Sequence, residues 1–184
     1  MKRHWLAMFV LSIVLLAASS ASAASIGTNL GFTHYLPSSG DGLSMLAVPN
    51  VGAYGLFAPG LRITQPLGTD GRQSLYFDGG LTYMSASSNN MHIVSLMAGY
   101  QFAFSEATSA PYVTVGVGLN SGGGTGVSSI TNAVLGGGVG VRHRLPHGKG
   151  ALRAELHVDH EIDSQNSDAS LTGIGLKLGF DLDL

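Results

Sequence analysis

The sequence predicts an all-β fold, an eight-stranded antiparallel up-and-down transmembrane β-barrel preceded by a cleaved signal peptide. Three observations carry that prediction. Apolar residues alternate with small or polar ones at period two along most of the chain, turn-forming stretches punctuate the alternation, and the polar faces mix glycine with charges of both signs. The 184 residues are one domain's length, 11% charged and 45% hydrophobic, with 27 glycines and no cysteine. The missing cysteine excludes disulfides, zinc-thiolate sites and lipid attached through a thiol.

At the N-terminus, Lys2 and Arg3 form a basic region, Trp5 to Ala18 an apolar run, and Ala21-Ser22-Ala23 a small-x-small processing site. Residues 1–24 are therefore expected to be a signal peptide cut near Ala23 or Ala24, and residues 25–184 the barrel. The apolar run is shorter than the ~20 residues a spanning helix needs. Cleavage removes two cations and no acid, so the formal charge moves from -2 to -4. No basic stripe remains to neutralise phosphates, which excludes nucleic acid as a partner.

Eight strand segments follow, at roughly 25–36, 43–65, 74–84, 91–104, 111–120, 130–145, 150–161 and 170–184. Between them lie PSSGDG, PLGTDG, SSNN, SEATSAP, NSGGGTG, PHGK and DSQNSD, all rich in residues that initiate turns or tolerate positive φ. The fourth segment puts Val94, Leu96, Ala98, Tyr100, Phe102 and Phe104 on one face and Ser95, Met97, Gly99, Gln101 and Ala103 on the other. The second segment is expected to be bent or interrupted, because Pro49, Pro59 and Pro66 each remove a ladder donor.

Which face points where follows from the polar side. Segment six sets Val134, Gly136, Gly138, Gly140, Arg142 and Arg144 against Leu135, Val139 and Val141. Segment seven sets Arg153, Glu155, His157 and Asp159 against Leu152, Ala154, Leu156 and Val158, and segment eight sets Lys177, Asp181 and three glycines against Ile174, Leu176, Leu178, Phe180 and Leu182. Such a polar face suits a narrow lumen, since eight strands leave an interior just wide enough to be filled by side chains. The apolar face is then left for lipid. Slipping the register by one residue would turn Arg142, Arg153 and Lys177 outward at up to ~2–4 kcal/mol each near the midplane, comparable in sum with the ~5–15 kcal/mol stability of a domain. Arg142, Arg144, Arg153 and Lys177 are thus expected to neutralise Glu155, Asp159 and Asp181 in a lumen charge network, with Glu155 opposite Lys177. Aromatics collect near segment ends, at Phe77, Tyr83, Tyr100, Phe102, Phe104, Tyr112 and Phe180, as interfacial girdles do.

Across the processed chain this pattern resembles the small outer-membrane β-barrel superfamily of the OmpA and OmpX type. The last segment, LTGIGLKLGFDLDL, resembles the C-terminal recognition strand of such proteins, with Leu176, Leu178, Phe180, Leu182 and Leu184 at every second position. The departure is the final residue, usually aromatic in the family and here Leu184. The resemblance implies export to the cell outer membrane, contact with outer-membrane lipid and lipopolysaccharide, recognition by the barrel-assembly machinery and a monomeric state.

The sequence offers three chemical readings. The run LHVDHEIDSQNSD concentrates His157, Asp159, His160, Glu161, Asp163, Ser164 and Asn166, and resembles the outer-membrane lipid A deacylases, which place a catalytic His and Ser on a late strand. Their His-x-Ser spacing is absent, because Asp159 follows His157 at that distance and Ile162 follows His160. Alternation sends His157 inward and His160 outward, so the two do not share a metal ion. The string LGGGVGV resembles a phosphate-cradling loop but no helix follows it, and its glycines are expected to leave lumen space for Arg142, Arg153 or Tyr112. His34, His92, His143 and His147 read as interfacial or turn residues. No catalytic, cofactor or metal residues are assigned. The leading expectation is a non-enzymatic barrel with a filled polar lumen, acting in envelope structure or surface interaction. A deacylase-like hydrolase, a low-conductance porin and a soluble secreted β-sandwich stand behind it.

Overall fold

The computed structural model describes residues 24–37, 43–47, 50–52, 55–57, 60–68, 70–86, 89–146, 149–162 and 171–184; within 43–57 and 81–91 the description is of backbone pairing alone. Residues 1–23 of the expected signal peptide lie outside the described residues.

Among the described residues there are eleven strands: β1 Ser25–Pro37, β2 Leu43–Ala47, β3 Asn50–Gly52, β4 Gly55–Phe57, β5 Gly60–Leu67, β6 Gln73–Ala86, β7 Asn89–Ala103, β8 Ser109–Gly124, β9 Val127–Arg144, β10 Gly150–Ile162 and β11 Leu171–Asp183. Every pairing is antiparallel, and eight of these strands close a ring: β1, β5, β6, β7, β8, β9, β10 and β11, with β11 returning to β1 from Ser25↔Asp183 to Pro37↔Leu171. Closure removes the free edges that an open sheet would leave unsatisfied in hydrocarbon.

The second stave is divided, as its prolines predict. At the end nearer the termini, β5 bridges β1 and β6, pairing Ser25–Asn29 on one side and Gln73–Gly79 on the other. Farther along, β2 continues on β1 from Gly31 to Tyr35, while β4 continues on β6 from Thr82 to Met84 and carries β3. Pro49 and Pro59 fall between these pieces and Pro66 near the end of β5.

Facing is inside out relative to a soluble fold. Val117 is 63% exposed and Leu156 61%, with Val115, Leu135 and Val139 close behind, whereas the largest fully buried side chains include Arg62, Tyr76, Tyr112 and Asp181. A soluble barrel or sandwich would bury the first set, so this distribution identifies the outer wall as the lipid face. The β8–β9 hairpin, 16 and 18 residues long, exceeds the ~9–11 residues a tilted strand needs to span a bilayer. It therefore projects beyond the membrane at the end away from the termini, turning at Thr125-Gly126 with Gly126 at φ +75°.

Candidate functional site: the charged lumen

Alternation on β5 and β6 turns Arg62, Thr64, Ser74, Tyr76 and Asp78 inward, and the same rule turns in Tyr112 on β8 and Arg153, Glu155 and His157 on β10. In the half nearer the termini these groups interlock. Arg62 donates from Nε to Asp78 Oδ1 and from Nη2 to Asp78 Oδ2, both at 2.6 Å, a bidentate charge-assisted pair. Its Nη1 stands 3.6 Å from Glu155 Oε2, an ion pair without a hydrogen bond, and the guanidinium carbon lies 4.4 Å above the Tyr76 ring centre. Tyr112 donates its hydroxyl to Glu155 at 3.0 Å. Arg153 donates to both oxygens of Asp181, at 2.7 and 3.0 Å, and to Asn29 Oδ1 at 2.8 Å. Asn29 closes the chain by donating to Asp78 at 3.4 Å. At the mouth, Arg142 meets Asp181 at 3.7 Å and Asp183 at 3.4 Å.

Glycines make the room. A β-carbon at Gly140 would fall 2.7 Å from the Tyr112 ring, one at Gly138 2.9 Å from Glu155 Cγ, and one at Gly179 2.7 Å from Arg153 Nη2. The string Leu135 to Val141 is thus a strand whose bare inner positions let large polar groups cross the lumen, as its composition predicts, and no phosphate loop forms.

Farther from the termini the network loosens. His157 Nε2 lies 3.4 Å from Asp159 Oδ2, and Lys177 Nζ reaches the same oxygen at 3.9 Å. Above them Glu161 accepts one bond from Asn120 and one from Asn132, each at 2.8 Å.

Arg142, Arg153, Glu155, His157, Asp159, Lys177 and Asp181 are brought into one lumen, and Arg144 stands at its mouth. One expected pairing is corrected. Glu155 and Lys177 do sit opposite each other in register, yet Arg62 and Tyr112 hold the carboxylate while the ammonium turns to Asp159. Of the two expectations for Tyr112, the girdle one is corrected and the lumen one holds, since it is 1% exposed inside the lumen. Phe102 and Phe104 do face outward, their rings edge to face at 5.5 Å, with Arg72 lying over Phe102 at 5.1 Å. The Tyr83 side chain lies outside the described residues.

Sequence reasoning missed Arg62, Asp78, Tyr76 and Asn29, the central members of the network. The signal was present: Arg62 and Thr64 alternate with Leu61 and Ile63, and Tyr76 and Asp78 with Leu75 and Phe77. Pro59 and Pro66 flank the first set and interrupt the strand pattern around it. As for catalytic geometry, His157 is 2% exposed inside the lumen, while His160 on the opposite face meets the Thr172 hydroxyl at 3.1 Å. Ser164 lies outside the described residues. Among the described residues no group of three metal-ligating side chains forms.

Residues 5–183 match the sequence profile of the outer membrane protein beta-barrel domain. Neisserial surface protein A superposes with a TM-score of 0.60 and 13% identity, over 85% of this chain and 95% of that one. Ail, the attachment invasion locus protein of Yersinia pestis, superposes with a TM-score of 0.54 and 11% identity, over 89% and 99%. The same protein in complex with the heparin analogue sucrose octasulfate gives 0.50 and 15%, over 89% and 99%. At these identities the likeness shows the fold alone. Comparison with curated protein sequences gives no match.

Proposed function

The chain belongs to the outer membrane protein beta-barrel domain family, and from that premise we propose that it is a non-enzymatic barrel with a sealed polar lumen, serving envelope structure or surface interaction. One observation carries the proposal: the interior is crossed by paired charges from Asp183 near the termini to Lys177 and Asp159, and beyond them by Glu161 hydrogen-bonded to Asn120 and Asn132. A through-channel needs an unobstructed lumen and a hydrolase needs a cleft that admits substrate.

The rest of the reading follows. A signal peptide over residues 1–24 delivers the chain to the periplasm, the outward rows contact outer-membrane lipid and lipopolysaccharide, and the alternating leucines of β11 serve the barrel-assembly machinery. The protein works as a monomer, with its termini on the periplasmic side. The likeness to Ail does not carry over a polyanion site, because residues 38–61, 87–88, 125–126 and 163–170 contain no Lys or Arg. Contacts made at that face involve neutral or cationic partners.

The test combines three measurements. Heat-modifiable migration from the outer-membrane fraction is expected, with no discrete conductance in planar bilayers. Lipid A acylation in the host should be the same with wild-type chain, with His157→Ala/His160→Ala or with none. Altered acylation that depends on either histidine would replace this reading with the hydrolase, and discrete conductance steps would replace it with the pore.

A further inference from the structure

The lumen mouth beside the termini holds a feature that the charge network does not use. A small cavity opens there, with room for one or two water-sized groups, about 20 Å³, between Gln101, Tyr112, Arg142 and Arg144. Arg142 is neutralised by Asp181 and Asp183. Arg144 forms no ion pair among the described residues, and its guanidinium extends toward Gly71 on the turn after β5, where a β-carbon would stand 3.7 Å from Nη2. Gln101 is 5% exposed and its side-chain carbonyl has no hydrogen-bond donor. A buried acceptor without a donor is destabilising, so a ligand that supplies one gains a hydrogen bond. The rest of the wall is small, with the methyl groups of Ala103, Ala107 and Ala110 beside Ser105 and Gly71.

We propose that this mouth binds the terminal carboxylate of a peptide ending in a small residue. Arg144, exposed at the rim, takes the carboxylate as a fork of donors outside the cavity, and the cavity itself admits only the last amide N–H toward Gln101 and a methyl side chain against the alanines. The mouth lies inside the strand ring, so a bilayer lipid headgroup does not face it. Given the periplasmic orientation proposed above, on which this inference rests, the ligand class is the stem peptide of the cell wall, whose free ends carry a carboxylate on alanine.

The experiment uses the full processed chain, refolded in detergent, with acetyl-D-alanyl-D-alanine as the probe and calorimetry or amide chemical shifts as the readout. The C-terminal amide of that peptide, and a peptide ending in leucine, should each bind at least tenfold more weakly. Arg144→Gln should lose at least tenfold, whereas Arg72→Gln, on the outer wall, should stay within twofold; heat-modifiable migration confirms that both variants fold. Equal binding of the acid and the amide, or of wild type and Arg144→Gln, overturns the proposal. Equal binding of the leucine-ending peptide overturns its small-residue specificity. Orientation is read separately, by labelling Lys149→Cys with an impermeant maleimide. Labelling only after outer-membrane permeabilisation supports the cell-wall ligand. Labelling in intact cells overturns that ligand and the orientation together while leaving the binding result to judge the pocket itself.

Discussion

The two halves of the lumen hold similar residue types in different ways. Near the termini, Arg62 and Arg153 each grip a carboxylate with two hydrogen bonds of 2.6–3.0 Å and are themselves almost wholly buried. Farther away, Asp159 meets His157 at 3.4 Å and Lys177 at 3.9 Å, with the aspartate and lysine each about one-fifth exposed. A planar guanidinium matches a carboxylate with a rigid fork, whereas an ammonium is a point charge on a flexible stem. The first half is built to be fixed, and the second tolerates rearrangement.

Breaking the rigid half should produce the largest effect. Arg62→Met leaves Asp78 and Glu155 buried without their cation, for an expected loss of about 3–5 kcal/mol, read as a lower midpoint in urea unfolding from detergent or vesicles. The paired variant Arg62→Met/Asp78→Asn should recover part of it, and no recovery would show that the cost lies in packing on Tyr76. Next in size is the outer wall. Leu156→Arg places a cation against lipid at about 2–4 kcal/mol if the site is near the midplane, whereas Ala154→Ser on the same face should be close to neutral. Gly140→Ala sharpens the account of the rigid half, since its methyl meets the Tyr112 ring; overpacking of this kind costs about 1–3 kcal/mol. The smallest effect belongs to the looser half. Lys177→Met should cost no more than about 1 kcal/mol, and the cost should shrink as salt is raised. A loss as large as that of Arg62→Met would erase the distinction between the halves.

Strand facing was legible wherever one row was apolar and the other was not: β8, β9, β10 and β11 all turn the residues that alternation assigns to each side. Period two specifies this strongly, because a one-residue slip exchanges both rows. Charge partners were less legible. Register places Glu155 opposite Lys177, but long side chains choose among neighbours across the lumen as well as beside them, and Arg62 arrives from the far wall through a contact that no sequence spacing reveals. Tyr112 carried two readings, an interfacial ring from its place at a strand end and a lumen group from the glycines opposite it, and its burial decides for the second. The divided second stave was foreseen from its prolines, although their presence obscured Arg62 and its partner Asp78.

The seam between β1 and β11 joins the earliest and latest barrel strands of the chain, residue by residue. A ribosome or export channel releases the first of these long before the last exists, so the wall cannot be completed while the polypeptide is still arriving. Until then every greasy row must be kept from its neighbours by something else. Assembly of this molecule is therefore a single late event, and a chain truncated anywhere before Leu171 would lack the piece that locks the hoop.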